Sequence, residues 1–146
     1  MSKIWKQPIS VSILNSPPNK ATLVQHIGIE FTEFGDDYLI AKMPVDHRTH
    51  QPMGLLHGGA NVVLAETLGS VASVFCLADL EKQTVVGLEV NANHLRGVRE
   101  GWVYGKVTPI RVGRTAHVWE INISDDQGRR TCVSRITIAV IDRRET

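Results

Sequence analysis

Residues 51–70, QPMGLLHGGANVVLAETLGS, decide the fold. A loop punctuated by Pro52 and Gly54 turns at the Gly58-Gly59 pair into a run of Ala, Val and Leu that continues to about residue 80. A helix over 58–80 would extend roughly 33 Å at 1.5 Å per residue, the span of a small domain. Ala60, Ala65, Gly69, Ala72 and Ala78 keep its girth small, so a second backbone can approach closely. Asn61, Glu66, Ser70, Ser73 and Asp79 make the run costly to place in lipid, which predicts a buried helix in a soluble protein. Within the apolar stretch stands one carboxylate, Glu66, and its presence demands a reason.

Both flanks carry β-patterning. Residues 26–44, HIGIEFTEFGDDYLIAKMP, alternate apolar and polar side chains around GDD, which predicts a hairpin with Gly35 and Asp36 in its turn. After the helix come four further runs, 84–96, 102–111, 115–124 and 130–141, broken at RGVREG, RVGR and DDQGR. Ahead of the hairpin, SVSILNSPPNK reads as a short helix stopped by Pro17 and Pro18, with a second helical turn over 19–25. The order β-β-α-β-β-β-β argues for an α+β layout, an antiparallel sheet wrapped against one central helix.

A chain of 146 residues suits one domain, 1–146, with a real core. Sixteen Lys and Arg nearly cancel fifteen Asp and Glu, so no global field draws the protein to nucleic acid or an anionic membrane. Cys76 and Cys132 lack CxxC spacing and read as buried, inert thiols suited to a reducing cytosol. The N-terminus has neither a continuous apolar segment nor a small-residue cleavage pattern, so the protein is expected to be cytoplasmic. His47 and His50 are close, but no Cys or acid joins them into a ligand set, so neither a metal nor a cofactor is expected. Trp5, Trp102 and Trp119 are expected in the core or at an interface.

The strand pair, the HGG segment with an acid eight residues past its first Gly, and VVGLEVNANHLR together resemble the hotdog-fold acyl-CoA thioesterases. The likeness covers about residues 4–141. It lies in the branch of the Arthrobacter-type 4-hydroxybenzoyl-CoA thioesterases and the bacterial 1,4-dihydroxy-2-naphthoyl-CoA hydrolases of menaquinone synthesis. The resemblance implies that Glu66 is the catalytic carboxylate, nucleophile or base for water, and that Gln51, His57 and Gly58 engage the thioester. It implies that Ser70 positions water or the carboxylate. Coenzyme A would be bound by Gly87, by His94, Leu95, Arg96 and Gly97, and by Arg111, Val112, Gly113, Arg114, Thr115 and Ala116. A small hydroxyl residue often follows the Arg of the NH-x-R segment in this family, whereas Gly97 stands there in this chain.

The chemistry fits those residue types. A helix N-terminus offers unpaired N–H groups and the positive end of the dipole to an oxyanion, and a glycine lets a carbonyl reach them. A carboxylate among apolar groups has its charged form disfavoured unless donors compensate, so Glu66 is tunable either as base or as nucleophile forming a mixed anhydride. Eight residues put Gly58 and Glu66 about 12 Å apart along one helix, too far to serve one carbonyl. Two antiparallel helices across a twofold axis would bring them level, so the site demands a dimer, and the resemblance implies a tetramer built from such dimers. Arg96, Arg99, Arg111 and Arg114 sit near strand ends where their donor forks could reach phosphates, and RVGRT could form a backbone nest around Gly113.

Two rivals share the architecture. A hotdog hydratase would use a His–Asp or His–Glu pair, whereas here Glu66 has no adjacent His and His57 precedes the first turn. A non-catalytic acyl-CoA-binding module would need no acid at position 66. Among substrates the resemblance ranks 1,4-dihydroxy-2-naphthoyl-CoA first, then other aryl or medium-chain acyl-CoA and aryl carrier-protein thioesters. Val71, Val74 and Phe75 are expected to line the acyl pocket.

Overall fold

The computed structural model describes residues 2–144. The elements follow in the order α1 (Val11–Leu14), α2 (Leu23–His26), β1 (Glu30–Phe34), β2 (Leu39–Pro44), α3 (Gly58–Phe75), β3 (Gln83–His94), β4 (Trp102–Val112), β5 (Ala116–Asp125) and β6 (Arg130–Asp142). The six strands form one sheet in the order β1-β2-β4-β5-β6-β3, antiparallel throughout. Thus β3, though third in sequence, is an edge strand.

Helix α3 lies across one face of the sheet, chiefly along β3 and β6. Leu64, Ala65, Leu68 and Ala72 are completely buried against Met43, Val103, Val107, Trp119, Ile121 and Ile136. Each fully buried Leu contributes about 1.5–3 kcal/mol of transfer free energy. Close approach is enforced by glycine on both partners. A Cβ on Gly69 would collide with the Ile136 side chain, and one on Gly105 would stand 2.6 Å from Leu68 Cδ1.

Element boundaries differ from those read in the sequence, each for an identifiable reason. The helix stops at Phe75, not near 80, because the Phe75 carbonyl accepts from the Lys6 and Gln7 N–H groups at 2.8 and 3.2 Å. Asp79 then starts a turn, accepting from the Glu81 and Lys82 N–H groups. The hairpin begins at Glu30, not 26, because α2 runs through His26 and Gly28 turns the chain at φ 80°. The second short helix starts at Leu23 rather than 19.

Trp5 and Trp119 are buried as expected, whereas Trp102 is half-buried with the Lys42 ammonium 4.2 Å from its ring centroid. Of the cysteines, Cys132 is buried but Cys76 is only half-buried. Burial still pushes the Cys76 thiol up to about 12, so both stay protonated.

Under the helix sits a buried polar group that periodicity alone did not isolate. Trp119 Nε1 donates to Ser73 Oγ at 2.8 Å, and that oxygen lies 2.9 Å from His117 Nδ1. Burial holds the His117 pKa below the usual histidine value, against a smaller opposing hydrogen bond with the Gly113 backbone. A base with a lowered folded-state pKa gives stability that is complete above its unfolded value and is lost as pH falls through its folded one. The thermal midpoint should therefore drop as pH is lowered below about 6.5, and His117→Asn, which keeps an acceptor for Ser73, should flatten that slope in a melting series from pH 8 to 5.

Candidate active site

The loop before α3 is stapled at several points. Thr49 Oγ1 donates to the Pro44 carbonyl at 2.7 Å, and the Arg48 guanidinium pairs with Asp46 at 2.7 Å. That pairing lowers the Asp46 carboxyl to about 2. The His50 ring Nε2 is 2.8 Å from the Arg99 carbonyl, and the His57 N–H donates to the Thr49 carbonyl at 2.8 Å.

His57 is the N-cap of α3, at φ −66° and ψ 130°, and its Nδ1 accepts the Gly59 N–H at 2.8 Å. Because a backbone N–H can only donate, the neutral ring carries its proton on Nε2. The Ala60 and Asn61 N–H groups turn back to the His57 carbonyl. Of the N–H groups in this first turn, that of Gly58 has no partner among the described residues.

Gln51 stands nearby, with its N–H donating to the Leu55 carbonyl at 2.8 Å and its Oε1 accepting from the Met53 N–H. Its amide nitrogen has no partner among the described residues and is left as a donor. Gln51, Gly58, Asn61, His94, Arg96 and Gly97 line one cleft of about 380 Å³.

Glu66 lies two turns further along α3. Its Oε1 is 2.8 Å from where a Cβ on Gly87 would stand, so the missing side chain of Gly87 is what lets the carboxylate rest against β3. Gly87 thus belongs beneath Glu66, at a bulge where Leu88 is the extra residue. Contrary to the expectation of a buried acid, Glu66 is exposed in the protomer, because β3 is the sheet edge and no element lies beyond it. The carboxylate has no hydrogen bond with the described residues. Ser70, one turn on, is half-buried with its hydroxyl likewise unpaired, and the bond back to an i−4 carbonyl is made instead by Thr67, to Val63 at 2.7 Å. Val74 and Phe75 open onto an apolar cleft of about 270 Å³ walled by Pro8, Ile13 and Leu80, while Val71 packs against the core.

The remaining candidates fall into two groups at opposite ends of the sheet. Gly87 is level with Ile138, His117 and Val112, whereas His94 is level with Cys132 and Ile123. Seven residues of β3 separate the two rows, roughly 23 Å at 3.3 Å per residue. Leu95, Arg96 and Gly97 follow His94 and are exposed, with the Leu95 and Arg96 N–H groups held on the Thr131 carbonyl. At the other end Arg111 and Val112 finish β4, and Gly113, Arg114 and Thr115 turn the chain into Ala116.

The expected nest is absent from that turn. The Gly113 N–H donates to the Ala116 carbonyl at 2.9 Å, and Gly113 does not have a positive φ. Arg96, Arg99, Arg111 and Arg114 are all exposed and form no ion pair with the described residues. Sequence reasoning overlooked Asn61. Its position three residues after Gly58, on the same face of the first turn, was the available signal.

Residues 53–132 match the model of the thioesterase superfamily. The chain is 52% identical to the proofreading thioesterase EntH of Cronobacter turicensis over 94% of this chain and 98% of that protein. It is 50% identical to the 1,4-dihydroxy-2-naphthoyl-CoA hydrolase of Escherichia coli, covering 94% and 99%. A solved mutant thioesterase from Pseudomonas aeruginosa superposes with a TM-score of 0.93 at 50% identity, covering 97% of this chain and all of that one. A six-stranded antiparallel sheet around one long helix, an open N–H at that helix's start and relatives of this kind place the chain, a hotdog-fold thioester hydrolase, in the thioesterase superfamily.

Proposed function

We propose that this protein hydrolyses aromatic acyl-CoA thioesters in the cytosol as a homodimer, or as a tetramer of such dimers, with each site shared between two chains. One observation carries the reading. A single protomer divides the machinery into two halves, with Gly58, Gln51 and His94 at one end of the sheet and Glu66, Ser70 and Gly87 nearer the other. Strand β3 is a twelve-residue edge with exposed Val86 and Leu88, the kind of edge that pairs with another strand. Antiparallel pairing of β3 with its twin would set the first half of one chain against the second half of the other. It would also cover Glu66, supplying the desolvation that the protomer lacks. The two exposed basic segments, 94–97 and 111–116, would converge in the same way on the phosphates of one coenzyme A.

In the proposed reaction the Gly58 N–H and the Gln51 amide hold the thioester carbonyl oxygen as negative charge develops on it. Glu66 either attacks the carbonyl carbon, expelling the thiolate and leaving a mixed anhydride for water to cleave, or removes a proton from water that attacks directly. Either route yields free acid and coenzyme A, with no metal or cofactor. The apolar cleft at Val74 and Phe75 is suited to an aryl group. The Escherichia coli relative makes 1,4-dihydroxy-2-naphthoyl-CoA, and with it menaquinone synthesis, the first substrate assignment to test. The likeness to a proofreading thioesterase supports a second, an aryl group on a carrier protein.

Thiol release should be measured over aryl-CoA, alkanoyl-CoA and aryl carrier-protein esters. The naphthoyl ester is expected to give the highest kcat/KM, and Glu66→Ala to lose at least about a thousandfold in kcat. Turnover unchanged in Glu66→Ala would refute the assignment of the carboxylate, and tight binding without turnover by the wild type would make the protein a binding module. Gly87→Ala should displace the carboxylate and cost about tenfold or more in kcat with little change in melting temperature. Sizing of the active preparation should show dimer or larger, and an active monomer would exclude the shared site.

A further inference from the structure

The first turn of α3 contains a side chain that the reaction outlined above does not use. Asn61 is 5% exposed, and its Oδ1 is buried without a hydrogen-bond partner among the described residues. Its Nδ2 lies 3.3 Å from His94 Nδ1. The His94 ring in turn covers Gly58, with Nε2 only 2.9 Å from where a Cβ on that glycine would stand. A side chain at position 58 would push the ring aside, so Gly58 both exposes its own N–H and seats His94.

The orientation of the Asn61 amide decides which nitrogen of His94 carries the proton. With Nδ2 donating to Nδ1, the neutral ring is protonated on Nε2, and only an acceptor, Oδ1, is left without a partner. With the amide reversed, both hydrogens of a buried NH2 group would be left unpaired. A buried oxygen that lacks a partner is the commoner and cheaper defect, so the first arrangement holds. Nε2 is then a donor in the same cleft as the Gly58 N–H and the Gln51 amide.

We propose that His94 contacts the thioester end of the substrate, donating from Nε2 to the carbonyl oxygen, and that Asn61 is the positioning residue that fixes this tautomer. The inference rests on the hydrolytic reading above and moves His94 from coenzyme A, where the resemblance put it, to the reacting group. The orphaned Asn61 Oδ1 is left to accept from a water or an amide N–H of the pantetheine arm, either of which would satisfy it only when the cleft is filled.

The two assignments of His94 separate on a substrate without a nucleotide. Benzoyl-CoA and benzoyl-N-acetylcysteamine are compared for wild type, His94→Ala and His94→Gln. His94→Ala is expected to lower kcat by at least about tenfold on both esters, and His94→Gln, which keeps an N–H donor near the Nε2 position, to recover part of the loss. A defect confined to benzoyl-CoA and expressed in KM alone would return His94 to coenzyme A binding and overturn the proposal. Nitrogen-15 spectra of the imidazoles supply a readout independent of turnover. At pH 8 the His94 proton should sit on Nε2 in the wild type and be shared between both nitrogens in Asn61→Leu, and a wild-type proton on Nδ1 would overturn the role given to Asn61. Glu66→Ala run in parallel tests the hydrolytic reading separately, since its loss does not depend on His94.

Discussion

The close seating of α3 on the sheet is the constraint from which the remaining geometry follows. Gly69 admits Ile136, Gly105 admits Leu68, and Ala65 and Ala72 are buried to zero exposure between them. With the helix fixed at that depth, its first turn meets the end of β3 at His94 and its middle meets β3 again at Gly87. Both meetings need glycine, and both place a group of the proposed reaction, the Gly58 N–H in one and the Glu66 carboxylate in the other. Packing at native density leaves little room for adjustment, so the site inherits its precision from the core.

Much of this was legible in the sequence. The helix start at Gly58, the strand count and the antiparallel layout follow from periodicity and from the Gly58-Gly59 break. Residues whose partners are remote in sequence were not legible. The end of α3 depends on Lys6 and Gln7, seventy residues earlier, and no local pattern announces that the N-terminal segment will take the Phe75 carbonyl. The same limit hid the Ser73–His117–Trp119 cluster, because a serine on a small-residue helix and a histidine in a strand, 44 positions apart, are each unremarkable until the fold brings them to 2.9 Å.

The candidate site residues came from the resemblance, and what the sequence could not show was how they are grouped in space. Gln51, His57 and Gly58 lie together at the helix start, and within one protomer the segments 94–97 and 111–116 lie at opposite ends of the sheet. Strand order accounts for their separation within one protomer. Sequence proximity cannot show that β3 pairs with β6 at the edge while β4 and β5 fill the interior of the sheet. The nest expected at Gly113 failed for a local reason, since a hairpin turn that uses the glycine N–H to hold its own Ala116 carbonyl cannot also offer it to a phosphate.

The polar groups around the start of α3 also bear on the proposed reaction, since they suit a carbonyl better than a cation or a proton donor. His57 spends its acceptor nitrogen on Gly59, Gln51 spends its oxygen on Met53, and Asn61 turns its amide nitrogen to His94. Each of these choices consumes a lone pair within the protein and leaves an N–H facing outward. Together with the unpaired Gly58 N–H and the positive end of the helix dipole, they make a site rich in donors and poor in acceptors. Such a cleft gains most from an oxygen whose negative charge grows during reaction. Asn61 Oδ1, an acceptor without a partner among the described residues, is buried beside His94, where it can take a hydrogen bond without competing for the carbonyl.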